Sequence, residues 1–175
     1  MRTHAIRILI VAGALGLLAA GPARADTFVT PFLGATFGGN APSSQPSWGV
    51  AIGGGGLIGV EGEFGYTPDF FGSGGNVSAS HVITLMGNLF VAAPAGPVRP
   101  YVTAGMGLIR QHTELSTAGL LTNITSDDFG IDAGGGARFM LTPHVAIRGD
   151  LRYFKVRKSG GLGFWRGYGG LALSF

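Results

Sequence analysis

The chain has 175 residues, 33 of them glycine and none cysteine, with 46% apolar and 12% charged side chains. That length suits one domain with a sizeable core, and the composition excludes both a solvated disordered chain and, lacking a G-X-Y period, collagen. Nine of the twelve Lys/Arg and all nine Asp/Glu follow residue 25, so the formal +3 charge resides at the N-terminus. No nucleic-acid partner is expected, because phosphate binding requires clustered excess positive charge.

Residues 1–25 read as a signal peptide. Arg2 and Arg7 open it, Ile8 to Ala20 form an uncharged apolar run, and Ala23-Arg24-Ala25 supplies a small-x-small cleavage pattern. The run is about thirteen residues long, short of the roughly twenty a helix needs to cross a bilayer, which disfavours an uncleaved anchor. Residues 26–175 then form the single mature domain. Without cysteine, this exported domain must be stabilised by something other than disulfides.

The mature part divides into eight runs rich in β-branched and aromatic side chains: 27–37, 47–55, 57–66, 80–92, 99–111, 128–140, 144–155 and 165–175. The first, fourth and fifth carry apolar or small residues on both parities, so neither face can be assigned. The second ends in Gly53 to Gly56; neither it nor Gly134 to Gly136 leads into Gly-Lys-Ser/Thr or a helix, so a phosphate-cradling loop is not expected. In the third, Ile58, Val60, Phe64 and Tyr66 oppose Glu61 and Glu63. In the sixth, Phe129, Ile131, Ala133 and Phe139 oppose Asp132 and Arg138. In the seventh, Val145, Ile147, Leu151 and Tyr153 oppose Arg148, Asp150 and Arg152. Period two fits a half-buried strand but does not separate a membrane barrel from a soluble sandwich or a lipocalin-like barrel.

The connections discriminate better. They alternate long (38–46, 67–79, 112–127, 156–164) and short (near Gly56, 93–98, 141–143), with both termini on the short side, as in bacterial outer-membrane barrels. Dimensions agree. Phe129 and Phe139, and likewise Trp165 and Phe175, lie ten residues apart on one parity. Ten residues span roughly 33 Å along a strand, or roughly 23–25 Å once tilted by about 40–45°, against an apolar band of about 25 Å between aromatic girdles. Tyr153 joins the expected girdle.

If the apolar face meets lipid, the opposite face fills the lumen. By parity it collects Glu61, Glu63, Asp132 and Asp150 against Arg138, Arg148, Arg152 and Arg166. Equal numbers are what a nearly dry interior demands, since an unpaired buried charge costs several kcal/mol. A tight turn at Leu141 to Pro143 brings Asp132 beside Arg152, and an eight-stranded barrel is narrow enough for opposite walls to touch. A plug of ion pairs is expected, with glycines making room for arginines.

Arg99-Pro-Tyr-Val-Thr-Ala-Gly-Met-Gly, the stretch from Gly135-Gly-Ala-Arg-Phe through Asp150-Leu-Arg-Tyr, and the ending Tyr168-Gly-Gly-Leu-Ala-Leu-Ser-Phe175 resemble the small eight-stranded outer-membrane barrels of the OmpA/OmpX type. The resemblance implies a closed eight-stranded antiparallel up-and-down transmembrane barrel in the outer membrane. It also implies a terminal strand, with Leu171, Leu173 and Phe175, read by the barrel-assembly machinery. Outer-membrane lipids and lipopolysaccharide are the implied surroundings, and a monomer is expected.

These motifs specify a fold rather than an activity. The lipid A deacylases with similar barrels carry a His-x-Ser element, whereas here His81, His112 and His144 are followed two residues on by Ile83, Glu114 and Ala146. A triad of His112, Glu114 and Ser116 has only proximity in its favour, and three scattered histidines lack metal-ligand spacing. The expectation is a non-enzymatic barrel without cofactor or metal, with loops serving adhesion, lipopolysaccharide contact or envelope integrity. A small-solute pore is the alternative, and a lipid A-modifying enzyme a more distant one. Candidate loop contacts are Phe70 and Phe71, expected exposed on 67–79, the apolar Leu120, Leu121 and Ile124 on 112–127, and Lys155, Arg157 and Lys158 at the outer rim.

Overall fold

A computed structural model describes residues 27–72, 77–93, 95–117, 120–158 and 160–175; the signal-peptide reading of 1–25 lies outside the described residues. Eight strands, β1 (Thr27–Phe37), β2 (Gln45–Gly55), β3 (Ile58–Pro68), β4 (Val77–Ala92), β5 (Val98–Thr117), β6 (Leu120–Met140), β7 (Val145–Val156) and β8 (Gly163–Ser174), form one closed barrel in sequence order. Every neighbouring pair is antiparallel, and β1 closes on β8 with Phe28 opposite Ser174 and Phe37 opposite Trp165. Closure leaves no strand edge, so the backbone groups of these strands can be satisfied within the wall.

Side-chain direction follows the pleat. One set of large apolar residues points away from the barrel: Leu33 is 74% exposed, Val102 65%, Leu89 63% and Ile52 54%. Trp165, Phe139 and Leu173 point the same way, while Arg148 and Glu61 are buried inside. This orientation excludes the lipocalin-like reading, whose aromatic face would line a cavity. A contiguous apolar belt around a wall is unsuited to water and suited to hydrocarbon. Above it, Phe37, Trp165 and Tyr153 occupy one row across β1, β8 and β7, with Tyr153 and Trp165 rings 5.1 Å apart. Trp48 and Tyr66 pair across β2 and β3, with their rings 5.3 Å apart. Phe129 faces outward toward the outer end of β6, and Phe139 and Phe175 face outward near the end with the short turns.

The strands differ from expectation chiefly at the outer end. The stretch 112–127, expected as a loop, extends the β5–β6 hairpin, with pairing continuous from Gln111–Ser126 out to Thr117–Leu120. Threonines and β-branched residues there suit a ladder. Arg110 fastens its base by clasping Asp127 through Nε and Nη2, the latter at 2.8 Å. β4 likewise begins at Val77 rather than residue 80.

Leu151 sits midway along β7 and faces outward. Leu151→Arg should lower unfolding free energy in lipid vesicles by about 2–4 kcal/mol, read from urea titration of tryptophan fluorescence. No loss would contradict the outward assignment.

Candidate functional site

The lumen holds the chemistry. Inward positions on β3, β5, β6, β7 and β8 converge at mid-height, where Arg148, Arg152 and Arg166 are fully enclosed with Glu61, Glu63, Asp132 and Asp150. Arg152 is the hub. It lies 2.7 Å from Glu61, 3.1 Å from Glu63, 2.9 Å from Asp150 and 3.6 Å from Asp132, so it bridges carboxylates from three strands. Arg148 holds Glu61 with both terminal nitrogens and Asp150 at 2.8 Å, tying β7 across the lumen to β3. Arg166 donates to Glu63 at 3.2 Å and to the Thr84 hydroxyl at 3.0 Å.

Three neutral side chains complete the network. The Tyr101 hydroxyl accepts from Arg148 Nε at 2.6 Å and donates to Asp150. The Tyr168 hydroxyl lies 2.8 Å from Glu63 and 3.1 Å from Asp150. Asn88, with its amide oriented to satisfy both neighbours, donates to Asp132 at 2.7 Å and accepts from Arg152 at 2.6 Å. Sequence reasoning missed all three. Tyr101 and Asn88 lie on β5 and β4, whose parity could not be assigned. Tyr168 shares the parity of Arg166 on β8, which was the available signal.

Glycines open the space. A Cβ at Gly65 would collide with the Arg166 guanidinium, and one at Gly136 would come within 2.7 Å of the Tyr101 hydroxyl. At these positions glycine makes room for large inward side chains.

Two expected placements need correction. Arg138 points inward, but it forms no ion pair among the described residues. Its guanidinium lies 3.8 Å from the Phe28 ring centroid, with the Phe90 and Tyr101 rings at 5.1 and 5.4 Å, near the mouth formed by the short turns. The parity count could not separate it because parity gives the face and not the height. Phe70 is buried rather than exposed. Asp69 adopts a positive φ of 47°, and the Gly72 amide bonds back to the Asp69 carbonyl at 2.7 Å. The resulting turn drives Phe70 into the outer end of the lumen against Phe164, at 5.2 Å. There it joins Val82, Met86, Ile109, Phe154 and Leu162 in an apolar cap over the ion network. Phe71 is half-buried against this cap.

The remaining predicted residues lie apart from the lumen. Leu171, Leu173 and Phe175 face outward along β8. At the outer rim Lys155 donates to the Gly161 carbonyl at 3.0 Å, Lys158 lies 3.8 Å from Asp128, and Arg157 is exposed. Ile124 is exposed on the hairpin. His112 stacks on His81 at 4.9 Å and contacts Thr125 and Glu114. Among the described residues no cluster of three or more His, Asp or Glu could hold a metal.

A closed eight-stranded barrel with short turns at one end, an apolar outer wall and an ion-filled lumen has this arrangement for a bilayer. A family model described as the outer membrane protein beta-barrel domain matches residues 10–170. The chain belongs to that family. It is an outer-membrane protein that crosses the membrane with strands. Among solved structures it is similar to Neisserial surface protein A, with 14% identity and a TM-score of 0.70 over 85% of this chain and 97% of that one. The N-terminal barrel of OprF from Pseudomonas aeruginosa matches at 17% identity and TM-score 0.56, covering 86% of this chain and 99% of that one. Ail, the attachment invasion locus protein of Yersinia pestis, matches at 14% and 0.57, covering 85% and 98%. The outer-membrane enzyme PagL also shares the fold, at 13% identity and TM-score 0.51 over 85% and 99%. No curated protein matches the sequence.

Removing the hub of this family member's network should strand several carboxylates. Arg152→Met is expected to destabilise the barrel by about 3–5 kcal/mol, the usual cost of breaking a buried ion pair from one side. Tyr101→Phe should cost about 1–3 kcal/mol for the partners it leaves unsatisfied. Both are read by denaturant unfolding in vesicles, and an unchanged midpoint for Arg152→Met would contradict a closed network.

Proposed function

We propose that this is a non-catalytic integral outer-membrane protein whose plugged barrel serves as a rigid mount for its outer surface. The observation that carries the reading is the mid-lumen network, with Arg148, Arg152 and Arg166 buried and each paired with at least one carboxylate, and the Phe70 cap above. A solute-conducting path would need water where these side chains stand, and separating them would strand charge in a low-dielectric interior. The charged groups that resemble catalytic machinery are engaged with one another, in the manner of a structural ion-pair network.

The outward part then does the work. The β5–β6 hairpin rises above the Phe129 girdle as a paired ribbon. Lys155, Arg157 and Lys158 lie beside its base, where cations can meet lipopolysaccharide phosphates. Adhesion, lipopolysaccharide contact and support of the envelope are the roles such a surface fits. Leu171, Leu173 and Phe175 serve as the strand recognised by the assembly machinery, and the barrel acts as a monomer.

Planar-bilayer recording tests the reading: purified protein should give no steady conductance. A stable open level would establish the small-solute pore instead. Replacing Lys155, Arg157 and Lys158 with Ala should weaken binding to lipopolysaccharide-containing vesicles and flatten its salt dependence. Mass spectrometry of lipid A from cells with and without the protein should show no difference; a lost or gained acyl chain would overturn the non-catalytic reading.

A further inference from the structure

We infer that the inner mouth of the barrel, at the end bearing the short turns, is an oxyanion site centred on Arg138. Among the described residues this arginine stands outside the ion network, whose four carboxylates gather around Arg148, Arg152 and Arg166. Its Nε and Nη2 are both shut off from water and have no hydrogen-bond partner. Those two nitrogens form the edge with which a guanidinium binds a carboxylate or phosphate side-on. Arg110 uses the same pair of atoms on Asp127.

The empty edge is held in place. Arg138 sits over the Phe28 ring with its guanidinium carbon 3.8 Å from the centroid, a cation–π contact that offers Nε and Nη2 no oxygen acceptor. An arginine set among three aromatic rings and unserved along one edge favours an anionic acceptor there, since a buried unsatisfied donor costs about 1–3 kcal/mol. Arg138 also lines a cavity of about 30 Å³ at the mouth, together with Arg99, Tyr101, Gly55, Ala172 and Ser174. At roughly 10–15 Å³ per water-sized atom, that is room for about two oxygens, the size of one end of a carboxylate or phosphate and too small for a whole organic ligand. Arg99 is the direct cross-strand neighbour of Arg138 and lines the same cavity, while the lumen's acids gather around Arg148, Arg152 and Arg166. Small residues, Gly55, Ala172 and Ser174, form part of the cavity lining. The ligand is thus an oxyanion presented from the inner side of the membrane, either free or as the phosphate of a lipid headgroup.

The test is NMR of the folded protein in a phosphate-free maltoside detergent, following the Arg138 Nε–H resonance as phosphate or acetate is added against equal chloride. A saturable shift with the oxyanions, none with chloride and none at Arg110, is expected. Arg138→Lys keeps the charge and loses the fork, and should weaken the calorimetrically measured affinity about tenfold, the weight of one charge-assisted hydrogen bond. Nanodiscs of phosphatidylglycerol without added anion separate the sources. A shift there assigns the site to a headgroup phosphate, and a shift that needs added phosphate or acetate assigns it to a free anion. An Arg138 resonance that no oxyanion moves, or that chloride moves equally, overturns the proposal. Should Arg138→Lys fail to show heat-modifiable gel mobility, the wild-type titration alone decides.

Discussion

Three buried guanidiniums share four carboxylates at the centre of this barrel, and the rest of the structure is arranged around them. Hydrocarbon surrounds the wall, so no favourable term is gained by hiding apolar side chains inside it; the outer surface is already in a medium they match. What makes the closed cylinder a particular structure is the polar interior. Arg152 alone binds carboxylates on β3, β6 and β7, and Arg148 and Arg166 tie β7 and β8 across the lumen to β3. The contacts to Glu61 and Glu63 span 87 to 103 residues, which no hairpin provides, so they fix how opposite walls meet.

The same arrangement explains the glycines and the layering. A narrow barrel admits arginine and tyrosine only where the facing residue has no side chain, as at Gly65 beneath Arg166 and Gly136 beside Tyr101. Ion pairs then fill the middle, an apolar cap built on Phe70 and Phe164 closes the outer end, and an aromatic clamp holds Arg138 at the inner end. Each layer suits its neighbour: the cap excludes water from the charges, and the clamp tolerates a cation without an anion beside it. Chemistry that meets the outside is left to the rims.

Much of this was legible in the sequence because charge marks a face unambiguously. Glu61 with Glu63, Asp132 with Arg138, and Arg148, Asp150 and Arg152 each fall on one parity, and one parity of a membrane strand must face inward. The alternation of link lengths fixed the topology for a similar reason, since consecutive antiparallel strands put every second turn on the same side. The rest was illegible where pattern is silent about depth or about neutral residues. Parity places Arg138 inside without saying that it stands nearer the mouth than the carboxylates. Strands β4 and β5 gave no face, so Asn88 and Tyr101 went unseen. Two consecutive phenylalanines in a polar link look exposed until the left-handed turn at Asp69 folds Phe70 inward. The extended β5–β6 hairpin was read as loop because its polar residues pair with each other rather than with a core.

The central claim is that the middle of the lumen is dry, with its four carboxylates paired to Arg148, Arg152 and Arg166. Guanidinium proton exchange with water, measured by NMR on the protein in a lipid bilayer, tests it most directly. Arg148 and Arg152, fully enclosed, should retain their Nε protons far longer than Arg110, whose side chain is 55% exposed. Exchange at Arg148 and Arg152 as fast as at Arg110 would mean that water threads the barrel, and the closed network would be wrong.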